Sequence, residues 1–352
     1  MADLPKSIGW IGLGLMGNPM IRNLLKKVSE DTQFYIHDVV RESVERLVEE
    51  GNGRVHACES SVEVADKSDL IISMLPEGRH VKSVYLDEKS GVLASTSLQN
   101  KTLIDCSTID TASSLAVRDA CQSHSNSLTL NFYDAPVSGG VVGAEKGTLT
   151  FMLGCSATDP NITFLTTLLS LMGGNIFPCG GASLGLTAKL CNNYCSGLIA
   201  IAVSESLNIG IKSGMDPRIL ANVFHTSTAQ SAICDDWCPV PGLTPSAPAS
   251  NHYAGGFRVE LMKKDFALAV DTAERVGAQL ALGREGLGVY EGASADERCK
   301  GLDSRVVYKF LGGEEEWMSK GGFGEGVEMK KDETKRYIQL GKEAEKEGKK
   351  GS

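Results

Sequence analysis

The sequence predicts an α/β, doubly wound N-terminal domain, a long interdomain helix and an all-α C-terminal domain. Three observations carry that prediction. Over residues 1–181, short apolar runs alternate with helix-like stretches, the pattern of a parallel sheet covered on both faces. A Gly-x-Gly-x-x-Gly run, Gly12 to Gly17, joins the first apolar run to the first helical one. After Gly180-Gly181 strand signals become sparse, and an apolar stretch free of proline runs from Leu184 to Lys212. The expected division is therefore 1–181 as a Rossmann-like domain, 182–313 as a helical domain and 314–352 as a charged, solvated extension.

In order along the first domain, Ser7–Ile11, Gln33–His37, Leu70–Met74, Thr102–Asp105 and Phe132–Asp134 read as strands. Asn18–Lys27, Arg41–Glu50, Ser60–Lys67 and Thr111–Ser123 read as the helices between them. Thr148–Leu153 and Asn175–Phe177 add two strands, with a helix over Asn161–Leu171 between. Leu184–Lys212 then reads as one long, largely buried helix. Pro217–Phe224, Leu261–Val276 and Gly283–Glu291 continue the helical pattern, interrupted by a Pro-, Ser-, Ala- and Gly-rich loop over Pro239–Gly256. Loops of that length in compact domains are often functional. From Glu314 the chain turns to mixed Lys and Glu with a Gly-rich stretch, and a helix is expected only around Asp332–Lys346.

Composition bounds the partners. The chain has 352 residues, 42% hydrophobic and 22% charged, enough for two domains around a large core. Its formal charge is -9 and its pI about 5.3, which argues against nucleic acid or an anionic membrane as partner. No apolar run is read as reaching the ~20 residues of a membrane span. The ten cysteines form no Cys-x-x-Cys, so no metal is expected and buried reduced thiols are. The start, Met1-Ala-Asp-Leu-Pro-Lys, meets a strand pattern by Ile8, and the expected compartment is the cytoplasm.

The glycine run gains its meaning from context, a strand before it and a helix after. Gly12 permits a tight turn, Gly14 lets the backbone approach a pyrophosphate, and Gly17 lets helix and strand pack closely. Leu13, Leu15 and Met16 complete the turn, and the helix start offers free N–H donors to phosphates. Asp38 closes the second strand, 21 residues after Gly17. A carboxylate there accepts ribose hydroxyls of NAD and repels the 2′-phosphate of NADP, although Asp also serves as a turn residue or helix cap. Arg41, three residues on, could reach such a phosphate; NAD is the expected cofactor and NADP the lesser one. Met74-Leu75-Pro76 and Ser107-Thr108 follow strands, where an open α/β sheet places its ligand crevice. Leu75 and Pro76 would pack on a cofactor, or equally are ordinary core at a strand exit, and Thr108 would hydrogen-bond near the reactive ring.

Ser138-Gly139-Gly140 exposes a run of backbone N–H groups plus a hydroxyl, a nest suited to a carboxylate, although such a run is more often a plain turn. On the long helix Lys189, Asn192, Asn193 and Ser196 share one face. Burying a lysine and two asparagines on an apolar helix is costly without a purpose, and desolvation suits a lysine to acid–base work. A solvated polar stripe is the alternative. Lys264-Asp265, taken alone, is an ordinary surface charge pair.

Taken together, these segments resemble the β-hydroxyacid dehydrogenase family. The matching pieces are Gly9 through Met20, Asp105-Cys-Ser-Thr-Ile109, Asp134-Ala-Pro-Val-Ser-Gly-Gly140, Gly185-Leu-Thr-Ala-Lys189-Leu-Cys-Asn-Asn193 and Phe257 through Lys264-Asp265, in the family's order. The loop from Pro239 to Phe257 looks like the branch acting on 3-hydroxyisobutyrate. The resemblance implies Lys189 as general acid/base, Asn193 orienting the substrate hydroxyl, and Ser138, Gly139 and Gly140 holding its carboxylate. It implies Lys264 near both substrate and nicotinamide, with Asp265 anchoring the cofactor. It further implies NAD-dependent oxidation of a small β-hydroxy acid, a homo-oligomer (dimer or tetramer), and, by analogy, a mitochondrial location as an alternative. The rival readings are an NADPH-dependent glyoxylate or succinic semialdehyde reductase and a non-catalytic dinucleotide-binding module. Cys106 and the segment Gly301–Phe310 depart from the family pattern, which lacks the charged extension as well.

Overall fold

The computed structural model describes residues 4–124 and 130–319. The helix expected at 332–346 and the charged segment from 320 onward lie outside the described residues.

Six strands form one parallel sheet: β1 (Ser7–Ile11), β2 (Gln33–His37), β3 (Val55–Ala57), β4 (Leu70–Ser73), β5 (Thr102–Asp105) and β6 (Asn131–Asp134). Their order is β3-β2-β1-β4-β5-β6. The order reverses between β1 and β4, where such a sheet opens a crevice beyond its carboxyl ends. Between the strands run α1 (Gly17–Lys27), α2 (Arg41–Glu50), α3 (Ser61–Lys67), α4 (Gly78–Leu86) and α5 (Thr111–Ser123). Side chains alternate across a strand, so neighbours enter different cores. Ile8, Trp10, Leu70 and Ile72 join one cluster with Met20, Leu24, Val44 and Leu47. Ile11, Ile71 and Leu103 join the other with Val64, Val81, Tyr85 and Val117. Full burial of each such side chain contributes about 1.5–3 kcal/mol.

A second, three-stranded sheet follows: β7 (Val137–Ser138), β8 (Leu149–Leu153) and β9 (Gly173–Pro178), with α6 (Gly140–Lys146) and α7 (Ile162–Leu169) between. β7 runs antiparallel to β8, and β8 parallel to β9. The remaining helices are α8 (Leu184–Lys212), α9 (Pro217–Thr226), α10 (Ala232–Asp235), α11 (Val259–Val276), α12 (Gly283–Ala295) and α13 (Val307–Phe310). Among the described residues no strand follows β9.

The described residues form two compact units, one of those up to Leu198 with Gly256–Ser294, the other of Ile199–Gly255 with those from Ala295 onward. In the first, Gly197 of α8 packs against Phe266 of α11 and Tyr290 of α12, and the Tyr290 hydroxyl donates to the Gly197 carbonyl at 2.9 Å. In the second, Ala200, Val203, Leu207 and Ile211 share a core with Cys234, Cys238, Val240, Tyr308 and Trp317.

Several expectations change. β3, α4, β7 and α6 are elements where the sequence reading assigned none. Trp317 is buried and donates to the Pro241 carbonyl at 2.9 Å, so the chain is still packed at that point, past Glu314. Cys191 and Cys195 are exposed rather than buried. α8 is long and apolar enough to cross a membrane, with a mean hydropathy of 1.4 over its most apolar window, contrary to the expectation that no such run exists. Its Lys189 and Asn193 side chains are buried.

Candidate active site

The glycine turn is shaped by contacts that exclude side chains at two positions and leave one open. Gly12 has φ of +98°, and a Cβ there would overlap the Met74 carbonyl; a Cβ on Gly17 would overlap the Gly12 carbonyl. Around Gly14 nothing lies within 4 Å of where a Cβ would stand. That open side, next to a helix start without a side-chain cap, fits a dinucleotide pyrophosphate. Beneath the turn the buried Trp10 donates from Nε1 to the Gly12 carbonyl at 2.8 Å. Leu13 is buried, Met16 partly so, and Leu15 is exposed. Asp38 faces the turn: its Oδ2 accepts the Leu13 N–H at 2.5 Å and its Oδ1 the Val40 N–H at 2.7 Å. Each oxygen keeps a lone pair for a ribose hydroxyl. Arg41 pairs with Glu59 at 2.8 Å, both largely exposed.

At the crevice, the exits of β4 and β5 are tied together. The Leu75 N–H donates to Ser107 Oγ at 2.8 Å, and Ser107 Oγ donates to Asp105 Oδ1 at 2.5 Å. Lys264, on α11, donates to the Thr108 carbonyl at 2.7 Å and the Pro76 carbonyl at 3.1 Å, and lies 3.3 Å from Asp265 Oδ1. Lys264, half of a pair that looked like surface charge in the sequence, is thus a clamp on both strand exits.

Lys189, on α8, is 7% exposed, Asn193 6% and Asp265 2%. Asn193 Nδ2 donates to Asp265 Oδ2 at 2.6 Å, and Asn193 Oδ1 accepts from Asn192 Nδ2 at 3.1 Å. Burial holds the Lys189 amine below its ordinary value; the Asp265 carboxylate raises it and the Lys264 ammonium lowers it further. A buried amine with a lowered proton affinity serves as a proton acceptor better than a free lysine does. Lys189, Asn193, Lys264 and Asp265 are thereby gathered with Pro76 and Thr108. Ser138, Gly139 and Gly140 stand at the end of β7 and the start of α6, with Gly139 at φ +131° and Gly140 at φ +63°. Among the described residues they make no hydrogen bond to Lys189 or Asn193. Also among the described residues, no group of three His, Cys, Asp or Glu side chains is placed to hold a metal.

Sequence reasoning named Asp105 and Asp134 only as parts of motifs. Both are buried carboxylates at the carboxyl ends of strands, and that position was the available signal.

Residues 7–181 match the NAD binding domain of 6-phosphogluconate dehydrogenase, and residues 183–311 the NAD-binding domain of NADP-dependent 3-hydroxyisobutyrate dehydrogenase. A probable mitochondrial 3-hydroxyisobutyrate dehydrogenase of Dictyostelium discoideum is 41% identical over 306 residues, 87% of this chain and 91% of that protein. The chain belongs to the 3-hydroxyisobutyrate dehydrogenase family. The 3-hydroxyisobutyrate dehydrogenase of Pseudomonas aeruginosa is 38% identical over 88% of this chain and 99% of its own. A solved structure of Mycobacterium tuberculosis 3-hydroxyisobutyrate dehydrogenase with L-serine is similar at a TM-score of 0.78 and 32% identity, covering 87% of this chain and 98% of that one. As a member of this dehydrogenase family the chain is an NAD-binding oxidoreductase of the β-hydroxyacid type.

Proposed function

We propose that this protein oxidises 3-hydroxyisobutyrate to methylmalonate semialdehyde, a step of valine catabolism, with Lys189 as general acid/base. The observation that carries the reading is the buried Lys189 amine grouped with Asn193, Asp265 and the Lys264 clamp.

NAD, when bound, supplies the hydride acceptor. Gly12 through Gly17 would hold its pyrophosphate, Asp38 its adenosine ribose, and Leu75, Pro76 and Thr108 the reactive end. Lys264 keeps those strand exits in place, and Asp265 beside it helps anchor the cofactor. Ser138, Gly139 and Gly140 receive the substrate carboxylate, and Asn193 orients the hydroxyl. Lys189 takes the hydroxyl proton as the carbinol C–H bond breaks and the carbonyl forms. Acid–base help of this kind is worth about 10²–10⁴ in rate. The glycine turn, Asp38 and the strand exits that bind the cofactor lie in residues 1–181, Lys264 and Asp265 add to that binding from 182–313 along with proton handling by Lys189, and 314–352 has no catalytic part. The exposed Ile209, Met215, Ile219 and Val223 on and between α8 and α9 supply an apolar surface for a dimer or tetramer, which light scattering tests. Relatives named mitochondrial stand beside a bacterial one, so cell fractionation decides the compartment.

The test is steady-state kinetics across 3-hydroxyisobutyrate, 3-hydroxypropionate and L-serine, with NAD and NADP. The expected outcome is the highest kcat/KM for 3-hydroxyisobutyrate with NAD. Faster reduction of glyoxylate or succinic semialdehyde by NADPH would replace this reading with the reductase one.

A further inference from the structure

Asp134 ends β6 with its carboxylate 2% exposed. Oδ1 accepts the Ser183 N–H at 2.7 Å and Oδ2 the Leu186 N–H at 2.9 Å. These are donors at the start of α8, which a helix cannot satisfy within itself. An anion there also meets the positive end of the helix dipole. Ser183 adopts φ of +60°, a conformation costly for a residue with a Cβ, and so presents its N–H to the carboxylate. Two glycines close the carboxylate in. A Cβ on Gly154 would overlap Asp134 Oδ1; one on Gly185 would stand 2.8 Å from Oδ2 and overlap the Met152 carbonyl. The Asp134 carbonyl accepts the Gly154 N–H at 2.7 Å. One residue thereby joins β6, β8 and α8. Ser138 lies four residues beyond it on the chain, and Lys189 lies three residues, less than one helical turn, beyond Leu186.

We propose that Asp134 is a positioning residue for the reaction: by binding the first turn of α8 it sets where Lys189 stands relative to the Ser138–Gly140 carboxylate nest. This rests on the reading of Lys189 as the proton acceptor. Lys189 is faced by Asp265 and Lys264 of α11, and Asp134 by Asp105 of β5, Cys155 after β8 and Cys179 after β9.

Two variants approach the contact from opposite sides. Asp134→Asn keeps the side-chain shape but turns one acceptor into a donor aimed at a backbone N–H. Gly185→Ala pushes the helix start away from the carboxylate. In both, hydrogen exchange across 183–190 accelerates, and the calorimetric Kd for NAD stays within roughly threefold of the parent's. The kcat for 3-hydroxyisobutyrate falls by about tenfold or more. The acid limb of the kcat/KM profile moves up by about one pH unit, because a loosened Lys189 is better hydrated. A rate that falls without movement of that limb, or together with NAD affinity, means Asp134 only supports the fold and overturns the proposal. If Asp134→Asn does not fold, Gly185→Ala decides by the same readouts. Lys189→Ala runs in parallel. If it abolishes turnover while the two variants keep parental kcat and pH profile, this inference fails and the role of Lys189 stands. If Lys189→Ala keeps turnover, the role of Lys189 fails and this inference with it.

Discussion

Asp105 and Asp134 are register partners across β5 and β6, and both carboxylates are buried. They are satisfied unequally. Asp134 accepts backbone N–H groups on both oxygens, whereas Asp105 accepts Ser73 Oγ at 2.7 Å and Ser107 Oγ at 2.5 Å on Oδ1 and leaves Oδ2 without a partner. Burial pushes the Asp105 carboxyl up to about 6, with the Asp134 charge adding to it. Burial raises the Asp134 carboxyl as well, and Asp105 takes up its proton below about pH 6.

That proton makes stability depend on pH. The folded value lies above the ordinary 3.8, so protonation favours the fold. The contribution is complete below 3.8 and is lost as pH rises through about 6, on the order of 3 kcal/mol in all. Urea unfolding at pH 5 and pH 8 reads this loss. Asp105→Asn should flatten it, and an unchanged slope in that variant would sink the assignment.

The charges around Lys189 predict shifts of opposite sign. Asp265 favours the ammonium form, so Asp265→Asn should move the acid limb of kcat/KM to lower pH. Lys264 disfavours it, so Lys264→Met should move the limb to higher pH, with a rise in KM for NAD from the lost clamp on Pro76 and Thr108. Shifts in the same direction would contradict the arrangement.

Two glycines of one turn should fail in different ways. Gly12→Ala meets the Met74 carbonyl in a left-handed conformation and should lower the melting temperature by several degrees. Gly14→Ala has open space and should melt within about 2 °C of the parent, yet weaken NAD by about tenfold or more as its methyl fills the pyrophosphate side. Calorimetry of folding and of NAD binding separates the two.

Asp38 should control the choice of cofactor. Asp38→Ser removes the carboxylate that opposes a 2′-phosphate, and Arg41 is held by an exposed ion pair with Glu59, a contact worth about 0–1 kcal/mol. The ratio of kcat/KM for NAD over NADP should fall by about tenfold or more, with much of the NADP gain lost again in Asp38→Ser/Arg41→Ala. A ratio unmoved by Asp38→Ser would remove Asp38 from the ribose site.

Local pattern carried much of the fold. β1, β2 and β5 match their expected bounds because each is a short apolar run ended by turn residues. β3 escaped notice because three residues, Val55–Ala57, carry too little alternation, and α4 because its buried apolar positions reduce to Val81 and Tyr85. The site divides the same way. The glycine turn and Lys189 stand out by spacing and by the cost of burial. The bond from Asn193 to Asp265 spans 72 residues of sequence, and the grip of Lys264 on the Thr108 carbonyl spans 156. No local pattern contains such pairings; packing of α8 and α11 creates them. Cys191 and Cys195 were misread for a related reason, since residue type alone does not say which side of a helix faces solvent.

The bond from the Trp10 indole to the Gly12 carbonyl has a practical consequence. Of the three tryptophans, Trp237 and Trp317 belong to the second compact unit, leaving Trp10 as the chromophore beneath the turn. Its emission should respond when a ligand polarises that carbonyl, so replacing the other two with phenylalanine would give a protein whose intrinsic fluorescence reports occupancy without a dye.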